Sequence, residues 1–198
     1  MSANVWFEEV NTGLLQELKD TIRIKNAKGE LTILSDKAFV IRKPEEDFKF
    51  EVFPCVSIYN KDYKFEPKRY DPQPIKVGED IEKHIAVMED PHVPYDLTYQ
   101  IDFWSRFQSD MDCMTMTWLT KHFHQFNLSV KDDGGTERTC NCLTQGSIVK
   151  SDLVENKERL FHSIVNLKIW VEIDNETRYN KPMVVIRDID ASEQTKEV

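Results

Sequence analysis

From Tyr95 to Trp104 the chain alternates with a period of two. Tyr95, Leu97, Tyr99, Ile101 and Phe103 fall on one beat, and Asp96, Thr98, Gln100, Asp102 and Trp104 on the other. Successive side chains of a strand point to opposite faces, so the run predicts a β-strand with one buried and one wet face. Directly afterwards the period changes. Met111, Met114, Thr115, Trp118, Leu119, Phe123 and Phe126 recur at helical steps behind Ser109 and Asp112, which are spaced like a capping box. That predicts a helix over about 109–126 lying on the strand. A strand that needs a cover, followed by a helix that supplies one, points to a layered α+β domain.

The remaining segments fit the same class. Val10, Leu14, Leu18 and Ile22 step by four residues with Gln16, Glu17, Lys19 and Asp20 between them, an amphipathic helix with Asn11 or Thr12 as its N-cap. Residues 1–9 then form an arm carrying Val5, Trp6 and Phe7, aromatics that either fold back on the core or dock on a neighbouring subunit. Lys28-Gly29 marks a turn, and Leu31–Leu34 and Ala38–Arg42 read as short strands. Phe53-Pro54 opens a strand over Cys55–Tyr59. Residues 60–94, broken by Pro67, Pro72, Pro74, Pro91 and Pro94, are a long excursion in which Ile75–Val77 and Ile81–Met88 are the ordered candidates. Asp132-Asp133-Gly134-Gly135 is a hairpin signal, and Ser151-Asp152 is a further helix-cap candidate. Phe161–Ile173 carries apolar groups on both beats and reads as a central strand. Asn175–Lys181 is a turn region, Met183–Ile186 a last strand, and 191–198 a frayed tail. The expectation is a single α+β domain over 1–198. It comprises a mixed, mostly antiparallel sheet, an N-terminal helix, a second helix packed on one face, and extended loops and a hairpin.

Charge narrows the function. Acidic side chains outnumber basic ones 35 to 26, and the pI is near 5.1, which argues against wrapping duplex DNA. No run of about 18 apolar residues exists to span a bilayer. The N-terminal residues have neither a basic nor an apolar leader region, so the thiols are expected to be reduced inside a cell. Cys140-Asn141-Cys142 would point two thiols the same way on a strand, as a metal site could use. However, His122 and His124 would lie on opposed sides of a helix, and no second ligand motif appears. Cys113, among methionines, reads as core. There is no nucleophile elbow, P-loop or dinucleotide-binding glycine motif. No catalytic residue, cofactor or metal is therefore expected.

Two stretches stand out by composition. Tyr59–Tyr70 interleaves Lys61, Lys64, Lys68 and Arg69 with Tyr59, Tyr63, Phe65 and Tyr70. That is the make-up of a single-strand stacking platform, or of an edge strand guarded by lysine and proline. Asp62, Glu66 and Asp71 dilute its charge. Between Glu79 and Asp112, Glu79, Asp80, Glu82, Glu89, Asp90, Asp96, Asp102, Asp110 and Asp112 face only Lys83 and Arg106. Such a run is a solvated face, or the wall of a channel that keeps DNA from sticking.

An amphipathic helix followed by a strand and Phe53-Pro54-Cys55-Val56-Ser57-Ile58 resembles the front half of a bacteriophage tail terminator. Pro94–Ser105 with the helix after it resembles the back half, and Phe161–Ile173 and Met183–Ile186 are similar to that family's closing strands. The resemblance implies a structural, non-enzymatic virion protein. It would form a homo-oligomeric ring, commonly a hexamer, that ends tube growth at the head-proximal end of the tail and joins it to the neck. The implied partners are further copies of itself, the tail tube protein, the neck or connector (stopper) protein and the sheath protein of a sheathed tail. DNA would only pass through, and no membrane is involved. The implied location is the virion tail and neck, with assembly in the host cytoplasm. The contact candidates are Trp6, Phe7, Tyr63, Phe65, Tyr70, Asp133 and Gly134, with Glu79, Asp80, Glu82, Glu89 and Asp90 facing the channel. Two alternatives stay open: another neck, tail-completion or baseplate component, and a cytosolic hydrolase or transferase with an unrecognised site.

Overall fold

The computed structural model describes residues 3–42, 52–80, 82–83, 85–131, 137–155, 158–173 and 178–182. The chain is α+β, with mixed sheets whose strands are mostly antiparallel. It divides into two compact units: Met1–Pro67 with Pro94–Ile173, and Lys68–Val93 with Asp174–Val198.

The first unit opens with helix α1 (Ala3–Thr21). The expected arm over residues 1–9 is therefore helical from Ala3 onward. Phe7 explains why, because it precedes Val10 by three residues and extends the apolar stripe one turn upstream, packing on the same core. Asn11 and Thr12 consequently sit inside the helix. Thr12 donates its hydroxyl to the Glu8 carbonyl, and Asn11 accepts the Tyr99 hydroxyl at 2.7 Å. A two-stranded hairpin follows, β1 (Arg23–Lys25) and β2 (Leu31–Ile33), turning at Gly29 with φ of 81°. That region of backbone favours glycine.

The main sheet holds β3 (Phe39–Ile41), β4 (Cys55–Phe65), β7 (Val93–Ser105), β10 (Glu158–Ile173), β9 (Glu137–Glu155) and β8 (Gln125–Lys131), in that spatial order. β3 runs parallel to β4; β4–β7, β10–β9 and β9–β8 are antiparallel. β10 is an inner strand, as its two apolar faces predict. β4 follows the cis Phe53–Pro54 bond and runs on to Phe65. The first residues of the expected excursion thus belong to the sheet.

α1 packs against both end strands, β3 and β8. Five strand spacings span roughly 24 Å, and α1, 19 residues and so about 28 Å long, is long enough to reach across them to both end strands. Gly13 makes the contact close: a Cβ there would stand 2.8 Å from the Ser129 carbonyl oxygen. The core lies between the covered face of the sheet and the helices. It contains Val10, Leu14, Leu18 and Ile22, together with Leu97, Tyr99, Ile101 and Phe103 from β7 and Val165, Leu167, Ile169 and Val171 from β10.

Helix α2 (Gln108–Lys121) adds Met111, Met114 and Trp118 to that core. It is shorter than the expected 109–126. Phe123 is 80% exposed, and Phe126 keeps helical phase only by coincidence, since it pairs with Cys142 in the sheet. Ser109 and Asp112 do not cap it. The N-cap is Phe107, whose amide donates to the Ser105 hydroxyl at 3.0 Å. Ser151-Asp152 lies within β9 and caps nothing.

In the second unit, β5 (Ile75–Asp80), β6 (Ile85–Glu89) and β11 (Arg178–Pro182) form an antiparallel sheet in the order β11-β6-β5. Part of the expected turn region at 175–181 is therefore a strand, made by pairing with β6 rather than by any alternation of its own. Met183–Ile186, the 191–198 tail and the Asp132–Gly135 turn lie outside the described residues. Among those described, no helix is long and apolar enough to cross a membrane.

Candidate functional site

On the face of β7 turned away from that core the residues expected to be wet are buried: Asp102 is 0% and Trp104 8% exposed. β7 is an inner strand, so its polar beat meets neighbours instead of water. Asp102 accepts from Gln100 Nε2 at 2.7 Å on Oδ1 and from Ser57 at 3.5 Å on Oδ2. His162 Nε2 lies 2.9 Å from Oδ1, and Arg42 Nη1 lies 3.7 Å from Oδ2. The His162 ring stacks on Trp104 at 3.5 Å between centroids. Burial, with the Asp102 charge second, pushes the Cys55 thiol beside this cluster up to about 12. The cluster was invisible in the sequence because Ser57 and His162 lie 45 and 60 residues from Asp102. The one local signal was a carboxylate on a strand that also carries Trp104.

A second buried group joins α1 to the end of α2. His122 Nε2 stands 3.0 Å from Glu17 Oε1 and 3.4 Å from the Thr21 hydroxyl, while its buried Nδ1 has no partner among the described residues. Lys121 reaches the same Glu17 oxygen at 2.7 Å. Burial holds the His122 pKa below its ordinary value, against the opposing pull of Glu17. Burial alone would raise Glu17, but Lys121, Thr21 and His122 together hold it below the usual carboxylate value.

Both groups hold the residue types of a hydrolytic triad, and neither has its order. A triad base takes the nucleophile on one ring nitrogen and the orienting acid on the other. At His122 both Thr21 and Glu17 meet Nε2. At Asp102 the serine and the histidine each bond to the carboxylate. Each ties separate elements together.

The aromatic candidates divide. Phe7 meets Tyr63 at a tilt with centroids 5.5 Å apart, and Phe65 meets Tyr95 edge to face at 6.1 Å, all in the first unit. Tyr63 remains 62% exposed. Tyr70, 37% exposed, belongs to the second unit. Trp6 lies in the early turns of α1, so it is part of a helix rather than of an arm. Asp133 and Gly134 fall outside the described residues. The acidic run does not form one face. Glu89, Asp96 and Asp102 are buried, with Asp96 paired to Lys168 at 2.6 Å. Glu79 and Glu82 are exposed, and Glu79 and Asp80 pair with Lys76 and Lys83. Asp90 is half-buried.

Among the described residues no group of His, Cys, Asp and Glu is placed to hold a metal ion. Cys140 and Cys142 are both buried in β9. Burial pushes the Cys140 thiol up to about 11 and Cys142 higher still. Cys113 is not the expected core residue: it is half-buried on the wall of an open groove of about 930 Å³ between the end of α1, the β1–β2 hairpin and α2. Compared with protein-family models and with curated proteins, the chain matches none.

Proposed function

We propose that this chain is a structural subunit of a bacteriophage tail, a terminator. Copies of it form a ring at the head-proximal end of the tail tube, stop its growth and join it to the neck. What carries the reading is the helix-backed sheet of the first unit, which leaves strand edges open at both of its ends among the described residues. An open sheet invites a further strand, and a head-to-tail contact whose rotation closes makes a ring. The exposed Tyr63 beside Phe7 is an anchor of the kind that carries contact energy. The two triad-like clusters lack the order that hydrolysis needs, which favours assembly over the enzyme reading.

In this role the partners are other copies, the tube protein and the neck protein, and DNA passes through without being read. Exposed Glu79 and Glu82 would repel it from a channel wall. Negative-stain imaging and native mass measurement of the concentrated protein test the proposal. An annulus with a central hole is expected, and Tyr63→Asp should abolish it while leaving the circular dichroism spectrum unchanged. A strict monomer at high concentration overturns it.

A further inference from the structure

The open edges are incomplete in a complementary way. β3 covers β4 only at Val56–Ile58, with Arg42 donating its amide to the Ile58 carbonyl. Beyond that point, Tyr59–Lys64 pairs with β7 alone among the described residues. At the other end of the sheet β8 covers β9 only from Glu137 to Leu143, with the Thr144 amide bonded to the His124 carbonyl. From Gln145 to Glu155, β9 is bordered among the described residues on one side only, by β10. The two open stretches therefore lie at diagonally opposite corners.

We propose that β4 of one copy pairs through Tyr59–Lys64 with the open edge of β9 in the next copy, antiparallel, so that the sheets run on into one closed barrel. This rests on the ring reading above and specifies its subunit contact. Strand sense agrees. β4 is antiparallel to β7, and β10 to β9. The contacts Asp102–His162 and Asp96–Lys168 run in opposite directions along β7 and β10. β4 and β9 thus point oppositely, and rotation about a ring axis preserves that sense.

The offset agrees as well. Within one copy Tyr59 pairs with Gln100, which those two contacts set level with Ile164, whose partner is Val149. In the joint, β9 must stop where β3 begins to cover β4, which sets Tyr59 opposite Glu155 instead. The shift from Val149 to Glu155 is six residues, or about 20 Å along the strand. It accrues over the four strands β4, β7, β10 and β9, roughly 19 Å across. The resulting strand tilt is about 45°, at the upper end of the roughly 35–45° at which closed barrels hold their strands. With the extra residue of β4 between Asn60 and Asp62, this register puts Lys64 opposite Ser151. Exposed Lys61 and Lys64 discourage indiscriminate pairing of this edge, and the β9 stretch supplies Asp152 and Glu155 in sequence.

The test uses Lys64→Cys and Ser151→Cys in the full chain with Cys113→Ser, the other native thiols described being buried. Within one chain two strands separate these positions, beyond the roughly 7 Å Cα reach of a disulfide. On oxidation, the double variant should give a ladder of covalent oligomers up to the copy number of the ring. An equimolar mixture of the two single variants should give dimers only, and each single variant alone nothing. A second pair, Asp62→Cys with Leu153→Cys, repeats the test should Ser151→Cys fail to fold. Dimers from Lys64→Cys alone would mean β4 pairs with itself and would overturn the proposal. A ring by native mass with no ladder from either pair overturns the joint while leaving the ring reading intact. A monomer overturns both.

Discussion

Gly13→Ala sets two effects of opposite sign against each other. In a helix interior, alanine is favoured over glycine by about 1 kcal/mol, so at an open position the change would stabilise α1. Here the added Cβ would meet the Ser129 carbonyl oxygen at 2.8 Å and Val130 Cγ2 at 3.2 Å. That oxygen belongs to the backbone of β8, where Ser129 pairs with Thr139, so it cannot yield without moving the strand or the helix. Overpacking of this kind costs about 1–3 kcal/mol. The clash at least cancels the propensity gain, and the net loss is roughly 0–2 kcal/mol. For a chain of this size that lowers Tm by up to about 8 °C. Thermal melts followed by circular dichroism on wild type and Gly13→Ala decide the sign. A raised Tm would mean that α1 does not lie against β8.

Asp102→Asn removes the fully buried carboxylate that faces Arg42 and accepts from Ser57 and Gln100; breaking a fully buried pair costs about 3–5 kcal/mol, and half-buried Arg42 places the loss at or below that range. Urea unfolding read by tryptophan emission should show it, since Trp104 stacks on His162, and a loss under about 1 kcal/mol would contradict the buried-pair account. His122 is held neutral by burial below its unfolded value of 6.5. The stability it contributes is therefore complete above pH 6.5 and is lost as the pH falls through its folded value, with Glu17, also lowered, adding to the loss further down. His122→Phe should flatten the fall in urea midpoint just below pH 6.5; an unchanged slope would exclude His122 as its source.

The layers of this protein were legible because they are written in local periods. Val10, Leu14, Leu18 and Ile22 share one side of a helix whatever lies beyond it, and the odd-numbered residues from Tyr95 to Phe103 share one face of a strand. The errors share a cause too. Phe126 stays in phase with the helix before it but belongs to a strand; Arg178–Pro182 has no strand pattern and becomes one by pairing; Asp102 reads as wet and is fully buried.

By itself the amino-acid order determined the elements and which side of each is apolar, since those depend on neighbours within a few residues. Only the tertiary structure decided that Asp102 would be enclosed and that β4 and β9 would each outrun the strand beside them. Burial and open edges are properties of what is packed alongside, contributed by segments tens of residues away.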